Sequence, residues 1–520
     1  MKAIPLLFEQ AVAQYGERPA LLEPGADNRI LTLTYQQMQK RVHSFAGYLQ
    51  QQGVAKGERI MIWSASRADW LIAYTGSLLA GLVVVPLDVN TKEDFLKRIA
   101  EITEARFLIA TRKQYENLQQ PPCPLIDIDA LPEGELRSDE LPEIDENELA
   151  ELVFTSGTTG QPKGVMLSHR NIVANAISAV EVVKISAADR ALSILPLSHM
   201  FELTIEIALI YRGSSVVYAR TLAPDTLLKL LSSQGVTCMV LVPQALQLFL
   251  NGIEREVRRQ KREKQWEWLQ RLAPRLPFGL RRYLFGAVHK RFGGRFRLFV
   301  SGGAYLPPVL GQRWENMGFR VLQGYGATEC APIVSVIPYD DKRPNLESVG
   351  KPLPGVQVRI AGDKEIEVNG PNVALGYWKD PDATAAVFKD GWYSTGDLGY
   401  LDEKHNLYIK GRKKNLIVLA NGMNVYPEDV ENMLNGHAAV KEAVVVGLAE
   451  ERQGSQVHAI LLMSDASKAR EAIQQANKRL ATHQQIRGFT VWPDEDFPRT
   501  HTLKVKRQDV LTRLAEVRGK

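Results

Sequence analysis

Hydroxyl side chains, glycines and a lysine follow one another closely in the stretch Leu152 to Asn171. After three apolar, β-prone residues the chain reads Thr155-Ser156-Gly157-Thr158-Thr159-Gly160, and Lys163 comes three positions later. A loop of this kind at the end of a strand presents backbone N–H groups and hydroxyls to an anion, and a lysine adds a point charge suited to outer phosphates. We therefore predict a phosphate-binding loop, after which Gly164 lets the chain turn toward a helix that Ser168 caps.

The predicted loop differs from a Walker A loop, in which Gly-Lys is followed by Ser or Thr. Here Pro162 precedes Lys163 and Gly164 follows it, so a P-loop ATPase is excluded. An ordinary Gly/Ser/Thr connection is the alternative that composition alone allows. The letters TSGTTGQPKG resemble the signature TSGTTGxPKG of the adenylate-forming superfamily, which contains acyl-CoA synthetases, nonribosomal adenylation domains and beetle luciferases.

Two later strands also end in small residues. The first is Phe299-Val300-Ser301-Gly302-Gly303-Ala304, whose small residues allow a flat ring to approach the backbone. The second runs from Val321 to Glu329, where Tyr325 stands between two glycines and is open enough to stack on a base. Thr328 can donate to a phosphate, and Glu329 offers a hard oxygen ligand for Mg²⁺. Each stretch alone is typical of a turn.

The second stretch resembles the superfamily motif GYGxTE, which implies adenine stacking and metal binding. The resemblance implies a catalytic role for Thr328 and Glu329, and Mg²⁺ ligation by Glu329 and Thr155. The nucleotide contacts that it implies, besides the phosphate loop, are Gly303, Ala304, Gln323, Gly324, Tyr325 and Gly326.

A histidine follows the apolar run Leu195-Pro196-Leu197-Ser198. A lone histidine in this setting is usually a structural residue. However, His199 and the nearby Phe201 resemble the PLxH motif at the acyl pocket of the superfamily. That resemblance implies a position for His199 near the substrate carboxylate and phosphate.

The second half of the chain carries the residues that the resemblance assigns to ribose. The stretch ending in Thr395-Gly396-Asp397 resembles the motif WxxTGD, and a carboxylate such as Asp397 can accept both vicinal hydroxyls of a ribose. The turn Gly411-Arg412-Lys413-Lys414 would otherwise be typical of a solvated hairpin. The resemblance implies a ribose contact by Arg412 and a hinge at Lys414, about which the C-terminal domain rotates.

Two residues near the end of the chain complete the implied chemistry. Gly422 leaves room for the pantetheine arm of coenzyme A in the matching family segment. The ending from Phe497 to Arg507 resembles the motif PxTxxGKxxR and places Lys504 at the catalytic lysine, although Leu503 replaces the usual glycine. Without the resemblance, Lys504 would be one of several solvated lysines.

The elements that position these residues alternate between helix and strand. A helical pattern up to Gln52 precedes a strand at Glu58 to Ile62, and the uncharged run Leu71 to Leu87 predicts a buried helix and a core strand rather than a membrane span. With 520 residues the chain is too long for one compact core. The resemblance implies an α/β fold. It has a large N-terminal domain of stacked α/β sheets with a β-barrel-like part (1–412), a hinge (413–414), and a small mobile α+β lid (415–520).

Composition indicates where the protein works. Three cysteines, Cys123, Cys238 and Cys330, share no CxxC spacing, which argues against zinc and disulfides and fits a reducing cytoplasm. The N-terminus has no long apolar run, so no secretory signal is predicted. We expect a cytoplasmic protein, with peripheral contact at the inner face of a membrane as an open alternative.

The segment 254–297, here called the basic segment, is the strongest charge anomaly. It holds 14 Lys and Arg against 4 Glu, a balance of +10 in a chain whose net charge is +5. Interleaved aromatic and aliphatic residues, among them Trp266 and Trp268, give an amphipathic pattern that suits an anionic membrane surface. The alternative is a solvated helical face with its aromatics packed inward. Nucleic acid is not expected, because no recognised motif accompanies the charge.

These patterns together predict an enzyme that uses ATP, Mg²⁺ and coenzyme A. The expected reaction activates a carboxylic acid to an acyl-adenylate with release of pyrophosphate, and then forms acyl-CoA and AMP. The basic segment and the TLKVKR ending resemble long-chain fatty acid-CoA ligases, while a medium-chain or aryl acid remains an alternative. Two different functions stay open, namely transfer of the acyl group to an acyl carrier protein and a non-enzymatic nucleotide-binding module. The oligomeric state is not predicted.

Overall fold

The computed structural model describes residues 2–25, 29–156, 162–419, 423–450, 454–499 and 505–518. The chain divides into two compact units. The first unit comprises Met1–Gln357 and Val368–Tyr393, and the second comprises Val358–Glu367 and Ser394–Lys520. The predicted boundary after residue 412 and the hinge at 413–414 stay predictions.

Capping signals in the sequence begin helices such as α2, α5 and α6. Ser168 begins α6 with a capping box, in which its Oγ accepts from the Asn171 N–H (3.2 Å) and Asn171 Oδ1 accepts from the Ser168 N–H (2.9 Å). The described helices are α1 (Ile4–Tyr15), α2 (Tyr35–Gln51), α3 (Ala68–Leu79), α4 (Glu93–Thr103), α5 (Arg112–Glu116), α6 (His169–Val183), α7 (Met200–Tyr211), α8 (Pro224–Ser233), α9 (Pro243–Arg259), α10 (Glu263–Leu272), α11 (Phe278–Leu284), α12 (Gly286–Arg291), α13 (Pro308–Asn316), α14 (Pro381–Val387), α15 (Pro427–Asn435), α16 (Ala469–Asn477) and α17 (Arg507–Arg518).

Many strands are fully buried, among them β4, β5, β11 and β12, as expected for α/β domains. The described strands are β1 (Pro19–Pro24), β2 (Ile30–Thr34), β3 (Arg59–Trp63), β4 (Val83–Leu87), β5 (Phe107–Ala110), β6 (Leu125–Asp127), β7 (Leu149–Ser156), β8 (Pro162–Ser168), β9 (Arg190–Ser193), β10 (Ser215–Tyr218), β11 (Cys238–Leu241), β12 (Leu298–Ser301), β13 (Arg320–Gly326), β14 (Ile333–Val336), β15 (Lys351–Pro352), β16 (Gln357–Ile360), β17 (Glu365–Asn369), β18 (Gly376–Tyr377), β19 (Phe388–Lys389), β20 (Trp392–Leu401), β21 (Leu407–Arg412), β22 (Ile417–Val418), β23 (Asn424–Val425), β24 (Val440–Glu450), β25 (Gly454–Met463) and β26 (Gly488–Val491).

Two large sheets organise the first unit. One has the order β15-β14-β13-β12-β11-β9-β10-β1-β2, and the other has the order β18-β8-β7-β4-β3-β5-β6. Strands β9 to β13 run parallel, so their carboxyl ends meet at one edge of the first sheet. That edge is where an open parallel sheet binds ligands. The predicted α/β class is confirmed.

The second unit has smaller sheets. Strands β16, β17, β20 and β21 lie side by side, β22 pairs with β23, and β24, β25 and β26 form a three-stranded sheet. Helices α15 and α16 pack with this last sheet through a core that includes Val430, Leu434 and Ile473. This arrangement agrees with the α+β character that the sequence predicts for the C-terminal region.

The phosphate-loop region differs from the prediction in one respect. We expected the chain to turn at Gly164 toward a helix, but residues Pro162–Ser168 form strand β8, antiparallel to β7. The expected turn is therefore wrong. Gly164 lies within β8, where an added Cβ would lie 2.9 Å from the Phe154 ring and 3.2 Å from Trp378 Cβ. The missing side chain lets these aromatics pack across the hairpin.

The run Leu71 to Leu87 folds as predicted, into the buried helix α3 and the core strand β4. Within the ranges that the structure describes, every helix is too short or too polar to cross a bilayer.

An aromatic cluster behind β12 and β13 gives a stability prediction. The Phe292 ring is 1% exposed and lies between 5.3 and 6.1 Å from the rings of five other aromatic residues, centroid to centroid. We expect Phe292→Ala to lower the free energy of unfolding by about 3–5 kcal/mol, because it leaves a cavity. Tyr283→Ala, at a site 80% exposed, should change it by less than about 0.5 kcal/mol. Urea unfolding followed by tryptophan fluorescence measures the stability of both variants. Equal urea midpoints for Phe292→Ala and Tyr283→Ala would contradict the packing of Phe292.

Candidate active site

The two ends of the phosphate-loop hairpin present a threonine and a lysine on one face. Thr155 and Lys163 are directly opposite each other in the β7–β8 ladder, so their side chains point the same way. The Lys163 ammonium lies 5.0 Å from the centroid of the Tyr377 ring, a cation–π distance. Gly157, Thr158, Thr159, Gly160 and the Ser156 side chain lie outside the described residues, so their phosphate contacts stay predictions.

The predicted metal ligand contacts the same tyrosine. Glu329 lies in the short turn Thr328–Cys330 that follows β13. The Tyr377 hydroxyl donates to Glu329 Oε1 at 2.9 Å. Burial, and then the negative charge of Glu329, raise the pKa of Tyr377, so the hydroxyl stays protonated and remains a donor at neutral pH. Tyr377 therefore links Lys163 to Glu329.

Backbone hydrogen bonds hold Tyr377 in this position. The segment 374–378, here called the strap, runs between the Glu329 turn and β8. The Ala374 N–H donates to Glu329 O (2.9 Å), the Leu375 N–H to Met166 O (2.9 Å) and the Trp378 N–H to Gly164 O (2.7 Å). The strap therefore fixes the spacing between the exit of the phosphate loop and the predicted Mg²⁺ ligand.

The sequence alone did not predict a role for Tyr377. The local letters ALGYWK contain no pattern that indicates chemistry, and the residue lies 48 positions from Glu329. One local signal exists. Gly376 has φ +134°, and an added Cβ would lie 2.6 Å from Thr384, so the position next to Tyr377 is restricted to glycine.

We expect Tyr377→Phe to raise the Mg²⁺ concentration needed for half-maximal activity by about threefold to tenfold, because one hydrogen bond to a charged group is lost. The phenyl ring keeps the contact with Lys163, so KM for ATP should change less. Steady-state kinetics over a Mg²⁺ titration measures both. An unchanged Mg²⁺ dependence would contradict the positioning role, and thermal unfolding controls for a loss of fold.

The ends of β12 and β13 lie next to each other, with Ser301 opposite Gln323. Gly303 is exposed and has φ +78°, and an added Cβ there would meet only Val242, at 3.7 Å. Ala304 and Tyr325 are half-buried beside the same edge. Gln323 is 3% exposed, and its Oε1 has no hydrogen-bond partner among the described residues, so it offers an acceptor to a bound N–H group. The edge is suited to a flat, polar ring.

The structure also brings Gly324, Gly326 and Thr328 to this edge. Gly324 and Gly326 pair with β14, and an added Cβ on Gly326 would lie 1.8 Å from Pro332 O. These two glycines thus permit the close approach of β14. Thr328 is half-buried beside Glu329, at the start of the turn.

His199 is the N-cap of α7. Its Nδ1 accepts from the Phe201 N–H at 3.3 Å, so the proton of the neutral ring lies on Nε2, which is a donor. Helix α7 packs beside the ends of β12 and β13, because an added Cβ on Gly302 would lie 2.9 Å from the Phe201 ring and Thr204 Oγ1 donates to Ala331 O (3.3 Å). The structure thus places His199 on a helix that contacts residues flanking Gly303 and Glu329.

The chemistry of the donor set favours a magnesium ion that is shared with a substrate. Among the described residues, no group of three or more His, Cys, Asp and Glu side chains is placed to hold a metal ion. Mg²⁺ commonly binds one or two carboxylates and completes its shell with water and substrate phosphates. Glu329, with Thr155 on the nearby hairpin, fits that pattern.

The predicted ribose residues lie in the second unit and contact each other. Asp397 and Arg412 are opposite each other in the β20–β21 ladder, and Arg412 Nε lies 2.8 Å from Asp397 Oδ1. Asp397 is 4% exposed, so the ion pair fixes the direction of a buried carboxylate. Lys413 pairs with Asp363 (2.6 Å) and Glu365 (2.8 Å). Burial, and then the charge of Arg412, lower the pKa of Lys414.

Gly422 and Lys504 lie outside the described residues. The room for pantetheine and the catalytic lysine therefore stay predictions.

The chain matches one enzyme family and its relatives over nearly its whole length. The profile of the AMP-binding enzyme matches residues 8–378, and that of the AMP-binding enzyme C-terminal domain matches residues 414–517. A long-chain-fatty-acid–CoA ligase of Escherichia coli O157:H7 is 29% identical, with 99% of this chain and 94% of the relative covered.

Solved structures of o-succinylbenzoate CoA synthetase from Bacillus subtilis are similar over nearly the whole chain. The complex with its acyl-adenylate intermediate has a TM-score of 0.81 at 28% identity and covers 98% of each chain. The complex with ATP and a magnesium ion has a TM-score of 0.79 at 28% identity and covers 97% of this chain and 99% of that one.

Proposed function

Because the chain belongs to the AMP-binding enzyme family, we propose that it is an ATP-dependent acyl-CoA synthetase that acts on a fatty acid. The predictions of an adenylate-forming enzyme and of ATP, Mg²⁺ and coenzyme A as its cofactors are confirmed. The observation that carries the proposal is the Lys163–Tyr377–Glu329 arrangement, which sets a phosphate-binding cation at a fixed spacing from a metal-binding carboxylate.

The first step joins the acid to AMP. A substrate carboxylate oxygen attacks the α-phosphorus of ATP in line, a P–O bond forms, and the bond to pyrophosphate breaks. Both reactants are anions, so the site must neutralise them. Lys163 and the 155–160 loop hold the leaving pyrophosphate, and His199 Nε2–H donates to the carboxylate or the α-phosphate. Mg²⁺, when bound at Glu329 and Thr155, neutralises phosphate charge.

Different residues are assigned to the adenine and to the ribose. The β12 and β13 ends, through Gly303, Ala304 and Tyr325, receive the adenine, and Gln323 Oε1 offers an acceptor to its amino group. Asp397 accepts the ribose hydroxyls in a direction that Arg412 fixes. Lys504 completes the first step by bridging the carboxylate and the α-phosphate.

The second step transfers the acyl group. The thiol of coenzyme A loses its proton to water and attacks the acyl carbonyl, the C–O bond to AMP breaks, and AMP leaves with that oxygen. The lid must turn about Lys414 to remove Lys504 and to bring Gly422 beside the pantetheine arm.

A long-chain fatty acid is the proposed substrate. The curated relatives with that named substrate, at about 29% identity, support it, as does the basic segment. A fatty acid of this length partitions into lipid, so we place the enzyme at a membrane surface while it takes up substrate. The similarity to o-succinylbenzoate CoA synthetase keeps an aryl acid as the second candidate.

A panel of acids from acetate to oleate, with benzoate and o-succinylbenzoate, tests the proposal. Pyrophosphate release is followed with and without coenzyme A. We expect turnover on the longer acids only when coenzyme A is present. Adenylate that coenzyme A does not discharge would favour an acyl carrier protein as acceptor, and no release with any acid would favour a non-enzymatic nucleotide-binding module.

A further inference from the structure

The basic segment has two faces that the structure separates. Trp266 (7% exposed) and Phe285 (3% exposed) meet edge to face at 5.5 Å and anchor α10 and α11 to the first unit. Trp268 is 60% exposed and Tyr283 is 80% exposed. Leu280 and Leu284 are exposed with Tyr283 on one face of α11, at spacings of three and four residues. Only one face packs inward, and large apolar side chains remain on the outside.

Cations surround the exposed tryptophan. Lys264, Trp268 and Arg271 lie at i, i+4 and i+7 on α10, which is one helical face, and all three are exposed. Arg275 is exposed immediately after the helix. The outer face of α10 and the turn after it thus combine an interfacial aromatic residue with three positive charges.

The acidic residues of the basic segment are mostly neutralised. Arg313, which lies outside the segment, contacts Glu254 (2.9 Å) and Glu267 (3.0 Å). Glu256 pairs with Arg259 at 2.8 Å. Of the four glutamates in the segment, Glu263 alone has no ion pair with a described residue, so few free negative charges oppose the positive potential of this surface.

Three arginines of the segment hold the fold instead. Arg281 donates to the carbonyls of Leu276, Pro274 and Glu315, and Arg282 donates to those of Phe296 and Gly294. Arg297 pairs with Asp189 at 2.9 Å. These contacts fix the helices that present the exposed residues, and the segment's other cations are exposed.

We propose that the outer faces of α10 and α11 dock onto an anionic phospholipid bilayer. Trp and Tyr side chains insert at the headgroup level, and Leu280 and Leu284 bury apolar surface in the acyl boundary. Lys264, Arg271 and Arg275 bind lipid phosphates. A nucleic-acid surface would use the charges but leave the two leucines in water, so the combination favours lipid.

Vesicle co-sedimentation without ATP or acid tests the proposal, so its result is independent of the proposed reaction. We expect the full chain to bind mixed phosphatidylcholine–phosphatidylglycerol vesicles, to bind pure phosphatidylcholine vesicles weakly, and to be released at high salt. The triple variant Lys264→Glu, Arg271→Glu and Arg275→Glu should bind about a hundredfold more weakly. Its control is Lys40→Glu, Lys113→Glu and Lys342→Glu, three exposed lysines of the first unit with the same total change of charge.

A second pair of variants tests the apolar part. Trp268→Ser, Leu280→Ser and Tyr283→Ser together should weaken binding by about tenfold or more. The control combines Leu6→Ser, Leu31→Ser and Leu222→Ser, three leucines more than half exposed elsewhere. Failure of the full chain to bind anionic vesicles would overturn the proposal. The proposal would also be overturned if either triple variant bound the vesicles as tightly as its control. Displacement of the vesicles by duplex DNA at matched phosphate concentration would overturn it too.

Discussion

Replacing Lys504 by alanine is expected to slow acyl-adenylate formation by about a hundredfold to a thousandfold, the cost of removing one charged donor from a transition state. Lys504 is the proposed bridge between the attacking carboxylate and the α-phosphate. In the proposed mechanism the second step does not use this lysine, because the lid has turned by then. Thioester formation from supplied acyl-adenylate and coenzyme A should therefore keep nearly its full rate.

Single-turnover pyrophosphate release and thioester formation measure the two steps separately. Lys506→Ala is the matched control, because Lys506 is two residues away and lies 3.8 Å from Asp509, an ordinary exposed pair. It should leave both rates within about twofold. Intact adenylation in the Lys504→Ala variant would show that Lys504 takes no part in that step. Equal loss of both steps would instead indicate damage to the fold of the lid.

Replacing Glu329 by glutamine is expected to lower adenylation by about a hundredfold at physiological Mg²⁺, because a neutral amide is a much poorer ligand for a hard cation. The amide oxygen can still accept from the Tyr377 hydroxyl, which lies 2.9 Å from Glu329 Oε1, so the strap keeps its place. Excess Mg²⁺ or Mn²⁺ should restore part of the rate.

Pyrophosphate release over a titration of each metal measures this effect. Glu347→Gln, at an exposed carboxylate of the same unit, is the control. A Glu329→Gln variant with the activity and the metal dependence of the parent would contradict the ligand assignment. Tyr377→Phe is expected to change the Mg²⁺ dependence through its hydrogen bond to Glu329, so that smaller effect would lose its explanation as well.

Local physical signals explain the parts of the fold that the sequence predicts. The capping box at Ser168 is a contact between residues three apart, so its letters suffice to place the start of α6. The uncharged run at α3 and β4 is buried because its side chains are apolar, and the glycine between the two elements marks the turn. The end of β12 before Gly302 and the end of β13 at Gly326 can be predicted for the same reason, since small residues interrupt an apolar run.

The parts of the fold and of the site that the sequence did not predict depend on contacts between residues far apart in the chain. Strand β8 is held by its antiparallel pairing with β7, in which Thr155 lies opposite Lys163. Its first residues include Pro and Gly, which are rare in strands, so the sequence does not predict it. Tyr377 reaches Glu329 only because the strap binds β8 on one side and the Glu329 turn on the other. In the basic segment, helical spacing separates two faces, but the contact between Trp266 and Phe285 decides which face packs inward.

The fate of the two carboxylate oxygens tests the adenylation mechanism most directly. The purified chain is incubated with ATP, Mg²⁺, coenzyme A and a long-chain fatty acid whose carboxylate carries oxygen-18, and the products are analysed by mass spectrometry. Attack by the carboxylate on the α-phosphorus, followed by thiol attack on the acyl carbonyl, must leave one labelled oxygen in AMP and one in acyl-CoA. Label in inorganic phosphate, with ADP as the nucleotide product, would show an acyl-phosphate route and contradict the adenylation mechanism.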